Sequence, residues 1–113
     1  MNSILSRIIQ VTVQSWVQSG DASCASDINC GLCADFAHSI SEQHTCNVVG
    51  VYDLDDLELL AGGFSSAFSQ AVKDDLIGHT AVFHDGKFYD SETPNGVCMF
   101  EDLPINKRCM TGT

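Results

Sequence analysis

The chain has few basic residues. Five lysines and arginines stand against 15 aspartates and glutamates in 113 residues, which gives a formal net charge of -10. This charge repels the phosphate backbone of DNA and RNA, so a nucleic acid is not expected as a partner. Long apolar runs are also missing from the sequence, since no stretch reaches the roughly 20 residues of a membrane-spanning helix. We therefore expect no membrane insertion.

The first 20 residues do not have the pattern of a secretory leader, because Arg7, Gln10 and Gln14 interrupt the apolar side chains. We therefore expect a cytoplasmic protein. Its six cysteines are then expected to stay reduced, mostly as small buried apolar residues, although the same number would suit a disulfide framework in a secreted chain. A monomer without a cofactor or a bound metal is expected.

Length and composition indicate one domain that spans residues 1–113. A typical domain has roughly 100 to 150 residues. The chain is 44% hydrophobic and 18% charged, which is typical of an ordered globular protein. Since the sequence contains no repeat, long linker or low-complexity tract, we propose no internal domain boundary.

Two helices and a strand are predicted in the first half of the chain. Apolar side chains at helical spacing cover residues 3–18 and end before Gly20. A second helix is expected to place Cys33 in its first turn, with Asp27 or Asn29 as its N-cap. The β-branched stretch "CNVVGVYDL" is typical of a strand. Together with the hairpin described next, these elements predict an α+β fold.

The segment "GHTAVFHDGKFYDSE" predicts a β-hairpin, because Asp-Gly is a preferred pair for a two-residue type I′ turn. A turn at Asp85 and Gly86 sets four cross-strand pairs: His84 with Lys87, Phe83 with Phe88, Ala81 with Asp90, and His79 with Glu92. Cross-strand partners share a face and side chains alternate along a strand. His79 is therefore expected near two carboxylates, Glu92 opposite and Asp90 diagonal, while His84 points to the other face.

Nucleophilic catalysis is the chemistry that uses most of these features. A helix N-terminus stabilises a thiolate, so it lowers the pKa of a cysteine in the first turn. A histidine can then act as general base, and a carboxylate can orient that histidine. Cys33, His79 and either Asp90 or Glu92 supply these three groups.

A developing oxyanion also needs hydrogen-bond donors. The backbone N–H of Cys33 is one candidate, and the side-chain amide of Asn29 is a second. Asn29 has a purely structural explanation as well, because asparagine is strongly favoured as a helix N-cap.

The blocks "NCGLCADFA" and "GHTAVFHDGKFYDSETPNGVCMFEDLP" resemble small papain-like or transglutaminase-like cysteine-hydrolase domains. They are especially similar to uncharacterised proteins of this kind, many of them from bacteriophages. The resemblance covers roughly residues 27–104. It implies a papain-like core with N-terminal helices packed on a small antiparallel sheet. It also implies Cys33 as nucleophile, His79 as base and Asp90 as the orienting acid.

The function implied is that of a cysteine-dependent hydrolase or acyl transferase that acts on an amide, isopeptide or thioester bond. The substrate is left open between a peptide, a protein and a small acyl compound, and a phage origin would place the protein in the host cytoplasm. One position departs from the papain pattern, in which a glutamine six residues before the nucleophile donates to the oxyanion. Asp27 stands there, and an ionised carboxylate cannot donate.

Three alternatives remain open at the level of sequence. The same fold can serve as an inactive binding module, since a fold does not set a function. The pair Cys30 and Cys33 forms a CxxC motif, which can cycle between dithiol and disulfide, although the preceding segment is polar and not strand-like. The same motif is half of a zinc site, but Cys98 and Cys109 are too far apart in sequence for a second close-spaced pair.

Overall fold

The computed structural model describes residues 4–111. The elements, in chain order, are α1 (Ile4–Ser19), α2 (Ala25–Ile28), α3 (Cys33–Gln43), β1 (Asn47–Val51), α4 (Leu54–Leu57), α5 (Ser66–Lys73), β2 (His79–His84), β3 (Lys87–Tyr89), the short 3-10 helix η1 (Phe100–Asp102) and α6 (Pro104–Thr111). The predicted α+β class is confirmed. No helix within these residues is long and apolar enough to cross a membrane.

The first helix follows the predicted pattern. α1 spans Ile4–Ser19 and ends at Gly20, whose φ of 87° is a conformation that glycine adopts without strain. Its buried face includes Leu5 and Ile9, which pack against α3. The predicted start at residue 3 lies outside the described residues.

The start of α3 differs in part from the prediction. Cys33 is its first residue, so the placement in the first turn is confirmed. The N-cap prediction was wrong, because Leu32 occupies that position and makes no side-chain cap. Asp27 instead belongs to α2, and Asn29 is the C-cap of that short helix. Gly31, with a φ of 125°, then turns the chain into α3.

Three antiparallel strands form the sheet, in the order β1-β2-β3. The hairpin register is confirmed where β3 exists: Phe83 pairs with Phe88, and His84 pairs with Lys87. Asp85 and Gly86 have φ values of 51° and 82°, as a type I′ turn requires.

The predicted pairs of Ala81 with Asp90 and of His79 with Glu92 do not form, because β3 ends at Tyr89. The Asp90 side chain accepts hydrogen bonds from the backbone N–H groups of Glu92 and Thr93, at 2.9 and 3.1 Å. Aspartate often turns the chain in this way, by bonding to the backbone two residues on. The chain therefore leaves the sheet at Asp90.

The sheet separates two apolar cores. One face packs on the N-terminal helices through residues such as Phe36, Ile40 and Val82. The other face packs on α5, η1 and α6 through residues such as Phe68 and Phe100. The prediction that N-terminal helices pack on a small antiparallel sheet is confirmed.

Candidate active site

One end of the sheet gathers the polar residues of the site. Because neighbouring strands run antiparallel, the end of β1, the start of β2 and the end of β3 lie together. Tyr52 follows β1, His79 begins β2, and Asp90 follows β3. The N-terminus of α3, with Cys33, packs against this end, since the Cys33 sulfur interacts with the backbone N–H of Thr80. Four polar side chains from four separate segments of the chain therefore meet here.

His79 and Asp90 form a buried pair. The Nε2 atom of His79 lies 2.9 Å from Oδ2 of Asp90, and the two residues are only 1% and 3% exposed. Burial opposes the charged form of each group, but the hydrogen bond and the opposite charges outweigh it. The net result is a raised pKa for His79 and a lowered pKa for Asp90. The geometry therefore favours an imidazolium paired with a carboxylate.

The carboxylate of Asp90 is held in one orientation. Its Oδ1 atom accepts from the Thr93 hydroxyl at 2.8 Å and from the backbone N–H groups of Glu92 and Thr93. Its Oδ2 atom accepts from the Asn29 amide at 3.3 Å in addition to His79. These donors fix the acid, and the acid in turn fixes the plane of the His79 ring.

Cys33 is the half-buried thiol beside this ring. Desolvation opposes ionisation of the thiol. His79, the backbone N–H of Thr80 and the Tyr52 hydroxyl favour the thiolate more strongly, so the pKa of Cys33 is lowered. Since Asp90 occupies Nε2, we infer that Nδ1 of His79 faces the sulfur. Nδ1 has no partner within standard hydrogen-bond limits, and such loose contacts are common before substrate binds.

Tyr52 is a site residue that the sequence analysis missed. Its hydroxyl forms a hydrogen bond with the Thr80 hydroxyl and also interacts with the Cys33 thiol. The ring lies across two glycines: a Cβ on Gly50 would approach ring carbon Cε2 to 2.8 Å, and one on Gly78 would approach Cδ1 to 3.3 Å. The signal available in the sequence was the alternation of Gly50 and Tyr52 on one strand face.

Asn29 joins the site in a different way from the one predicted. Its amide nitrogen donates to Asp90 at 3.3 Å and to Glu92 at 2.8 Å. Both amide hydrogens thus face carboxylates, and neither is available for an oxyanion beside Cys33. Asn29 is buried and supports the orientation of Asp90.

Glu92 forms no hydrogen bond with His79, although the predicted hairpin register placed Glu92 directly opposite His79. It forms two hydrogen bonds with Arg108, at 2.7 and 2.9 Å, and accepts from Asn29. Arg108 is the main cause of the lowered pKa of Glu92. Of the two candidate carboxylates, the structure brings Asp90 to the histidine.

The other cysteines lie apart from this arrangement, and the six cysteines are free thiols. Cys30 is exposed, and the CxxC motif follows the short helix α2 and not a strand. Cys24 is also exposed, and a hydrogen bond with the Ser26 hydroxyl lowers the pKa of its thiol. Within residues 4–111, no three His, Cys, Asp or Glu side chains are placed to hold a metal ion.

Comparisons with family models, with curated proteins and with solved structures found no match for this chain.

Proposed function

We propose that the protein is a cysteine-dependent hydrolase or acyl transferase, with Cys33 as nucleophile, His79 as base and Asp90 as the orienting acid. The observation that carries this proposal is the His79 ring. Asp90 holds one of its nitrogens at 2.9 Å, and the other is buried, has no standard hydrogen-bond partner and lies beside a thiol of lowered pKa. A Cys-His-acid triad needs these three features.

In the first half of the reaction, Nδ1 of His79 takes the proton of the Cys33 thiol. The thiolate attacks the acyl carbon of an amide, isopeptide or thioester bond, and the electron pair of the carbonyl moves to its oxygen. When this intermediate collapses, the bond to the leaving group breaks. His79 then gives its proton to the leaving nitrogen or sulfur, and the acyl group remains on Cys33 as a thioester.

In the second half, water or an amine attacks the thioester while His79 removes its proton. Collapse of the second intermediate releases an acid or a new amide, and the Cys33 sulfur takes the proton back from His79. Asp90 stays ionised throughout and stabilises the imidazolium. Hydrolysis and acyl transfer thus differ only in the second nucleophile.

Two donors are placed to stabilise the oxyanion. As the first residue of α3, Cys33 has a backbone N–H without an intrahelical acceptor. The Tyr52 hydroxyl interacts with the thiol and also forms a hydrogen bond with the Thr80 hydroxyl. We assign to Tyr52 the second donor role that the sequence analysis gave to Asn29.

A papain-like or transglutaminase-like core is part of the same proposal. Its support is the arrangement of three parts: a cysteine that begins a helix, a histidine that begins a strand and an aspartate that follows the neighbouring antiparallel strand. The blocks quoted above supply the same three residues by resemblance.

The test of this proposal compares the reactivity of Cys33 with that of the other thiols at pH 6. We expect iodoacetamide to alkylate Cys33 first, as judged by peptide mass spectrometry, and p-nitrophenyl acetate to leave an acetyl group on Cys33. Cys24→Ser serves as the background for both measurements, because Cys24 is exposed and its pKa is also lowered.

His79→Ala should abolish both reactions at Cys33 and leave the labelling of Cys30 unchanged. Preferential labelling of Cys30, or a His79→Ala variant as reactive as the parent, would contradict the triad. Rapid alkylation of Cys33 without any acetylation would favour the inactive binding module.

A further inference from the structure

The outer edge of β1 is open. β1 pairs with β2 on one side only, and residues 47–51 make no other backbone hydrogen bond within the described chain. In an antiparallel strand, alternate residues direct their N–H and C=O groups away from the partner strand. The edge therefore presents unpaired donors and acceptors. Proteins usually blunt such an edge with lysine, proline or a bulge, and the stretch "NVVGV" contains neither lysine nor proline.

A groove runs along this edge. Val48, Val49 and Gly50 line it on the strand side, and Asp56 and Leu59 line it on the side of α4. Its volume is about 270 Å³. Two of the apolar side chains that line the groove are exposed to solvent, Leu59 to 87% and Val48 to 36%. The groove thus combines unpaired backbone groups with apolar contacts, which is what an added strand uses.

The groove neighbours the candidate active site through Gly50, which lines the groove and lies against the ring of Tyr52. Tyr52 directly follows β1, and its hydroxyl reaches the Cys33 thiol. Across the sheet end, from β3 toward β1, the site runs from Asp90 through His79 and Cys33 to Tyr52. Exposure rises in the same direction, since Asp90 and His79 are buried, Cys33 is half-buried and Tyr52 is 48% exposed. The more exposed part of the site therefore lies at its Tyr52 end, next to β1.

The charge around the groove is negative. Asp56 lines the groove itself, while Lys73 lines a separate pocket together with Asp53 and Asp55. Four acidic residues lie in α4 or directly beside it, namely Asp53, Asp55, Asp56 and Glu58. A cationic partner is attracted by such a surface and an anionic one is repelled.

We propose that the groove along β1 binds an extended peptide that contains lysine or arginine, as a fourth strand, and delivers one of its acyl groups to Cys33. The proposal rests on the proposed function, whose substrate it narrows to basic peptide segments. At about 3.4 Å per residue, the five residues of β1 pair with a segment of about four or five residues. A second copy of this chain is disfavoured as the occupant, because each copy carries a net charge of -10.

The binding experiment uses the full chain with Cys33→Ala, which cannot react, so binding is measured apart from acyl transfer. The probe is the pentapeptide acetyl-Lys-Val-Lys-Val-Lys-amide, titrated into ¹⁵N-labelled protein. We expect its largest amide shift changes at residues 47–51 and at Leu59. A glutamate peptide of the same design should bind at least about fivefold more weakly at low salt. A lysine peptide that is methylated on alternate backbone nitrogens should lose affinity by a similar factor, because it cannot form all the strand hydrogen bonds.

Two surface variants distinguish peptide binding in the groove from non-specific binding to exposed apolar side chains. Leu59→Lys changes an exposed groove residue and should weaken binding of the lysine peptide. Ile4→Lys makes the same kind of change on α1, where the side chain is also largely exposed, and should leave binding unchanged. In the parent protein, a chloromethyl ketone of Lys-Val-Lys should alkylate Cys33 faster than that of Glu-Val-Glu, and Leu59→Lys should reduce this difference.

Shift changes confined to other elements, or equal affinity for the lysine and glutamate peptides, would overturn the proposal. So would shift changes at residues 47–51 that depend on protein concentration without peptide, since they would identify a second copy as the occupant. Peptide binding at β1 in a protein whose Cys33 fails the alkylation and acetylation tests would support the groove and refute the proposed catalysis.

Discussion

Replacing Asp90 by asparagine is the sharpest test of the triad, because the surrounding donors dictate how the new amide must lie. Oδ1 of Asp90 accepts three hydrogen bonds, two from backbone N–H groups and one from the Thr93 hydroxyl. An NH₂ group at this position would face the two N–H donors. The asparagine oxygen therefore takes the Oδ1 position, and the NH₂ group takes the Oδ2 position, where it faces Nε2 of His79 and replaces the longer 3.3 Å hydrogen bond from Asn29.

This orientation inverts the tautomer of the histidine. Nε2 must now accept a hydrogen bond from the new NH₂ group, so the ring proton moves to Nδ1, on the side of Cys33. A protonated Nδ1 cannot take the proton of the thiol. The asparagine also lacks the negative charge that stabilises the imidazolium, so the Cys33 thiolate is disfavoured for two reasons.

The magnitude follows from the loss of one hydrogen bond to a charged group, which contributes about 1.5–3 kcal/mol. At about 1.4 kcal/mol per factor of ten, the thiolate population of Cys33 at pH 6 should fall roughly 10- to 150-fold. The assay is the rate of carbamidomethylation of Cys33 between pH 5 and pH 9, followed by mass spectrometry. The rates of parent and variant should converge toward the pH at which an ordinary thiol ionises.

Glu92→Gln is the matched control. The amide of this variant keeps an oxygen that accepts from Asn29, and Glu92 itself makes no contact with the His79 ring. We expect the rate at Cys33 to change less than about threefold, because the part-buried ion pair between Glu92 and Arg108 does not include the His79 ring. If Glu92→Gln lowered the rate more than Asp90→Asn does, Glu92 and not Asp90 would be the acid that orients His79. An unchanged pH profile in Asp90→Asn would refute the reasoning.

The side chains around the triad give three more predictions. Tyr52→Phe should slow acetylation of Cys33 roughly 100-fold, as loss of an oxyanion donor does, with little change in urea unfolding; equal acetylation would exclude the donor role. Asn29→Ala should lower the free energy of unfolding by about 1–3 kcal/mol in the same urea assay, because two carboxylates lose a buried donor; no loss would mean that water replaces it. The folded-state pKa of Asp90 is lowered, so its contribution to stability is present above the unfolded pKa and is lost as pH falls through the folded pKa. Thermal unfolding should therefore show a steeper loss of stability below about pH 4 in the parent than in Asp90→Asn, and parallel curves would contradict this assignment.

Local chemistry made part of the site predictable from sequence. The Asp85-Gly86 turn has so strong a preference that it set the register of β2 against β3 as far as Tyr89. That register brings Asp90, the residue after β3, close to His79, but it also placed Glu92 opposite His79, which is wrong. The first-turn position of Cys33 was likewise predictable, because the apolar spacing of α3 requires a helix to begin nearby.

The rest of the site depends on contacts that sequence spacing does not contain. β3 ends where it does because the Asp90 side chain bonds to two backbone N–H groups that follow it, and these bonds compete with continued strand pairing. The role of Tyr52 depends on Gly50 and Gly78, which come from different segments of the chain and leave room for its ring only once the sheet is assembled.

The cost of the His79 and Asp90 pair argues for function more strongly than its hydrogen bond does. Burying two ionisable groups is expensive, and a buried pair often stabilises a fold no better than apolar residues of similar volume. Here the burial also leaves Nδ1 of His79 without a standard partner, and an unsatisfied buried polar atom costs about 1–3 kcal/mol. The thiol of Cys33 lies beside this nitrogen, which is the arrangement that the proposed role of His79 as a base requires.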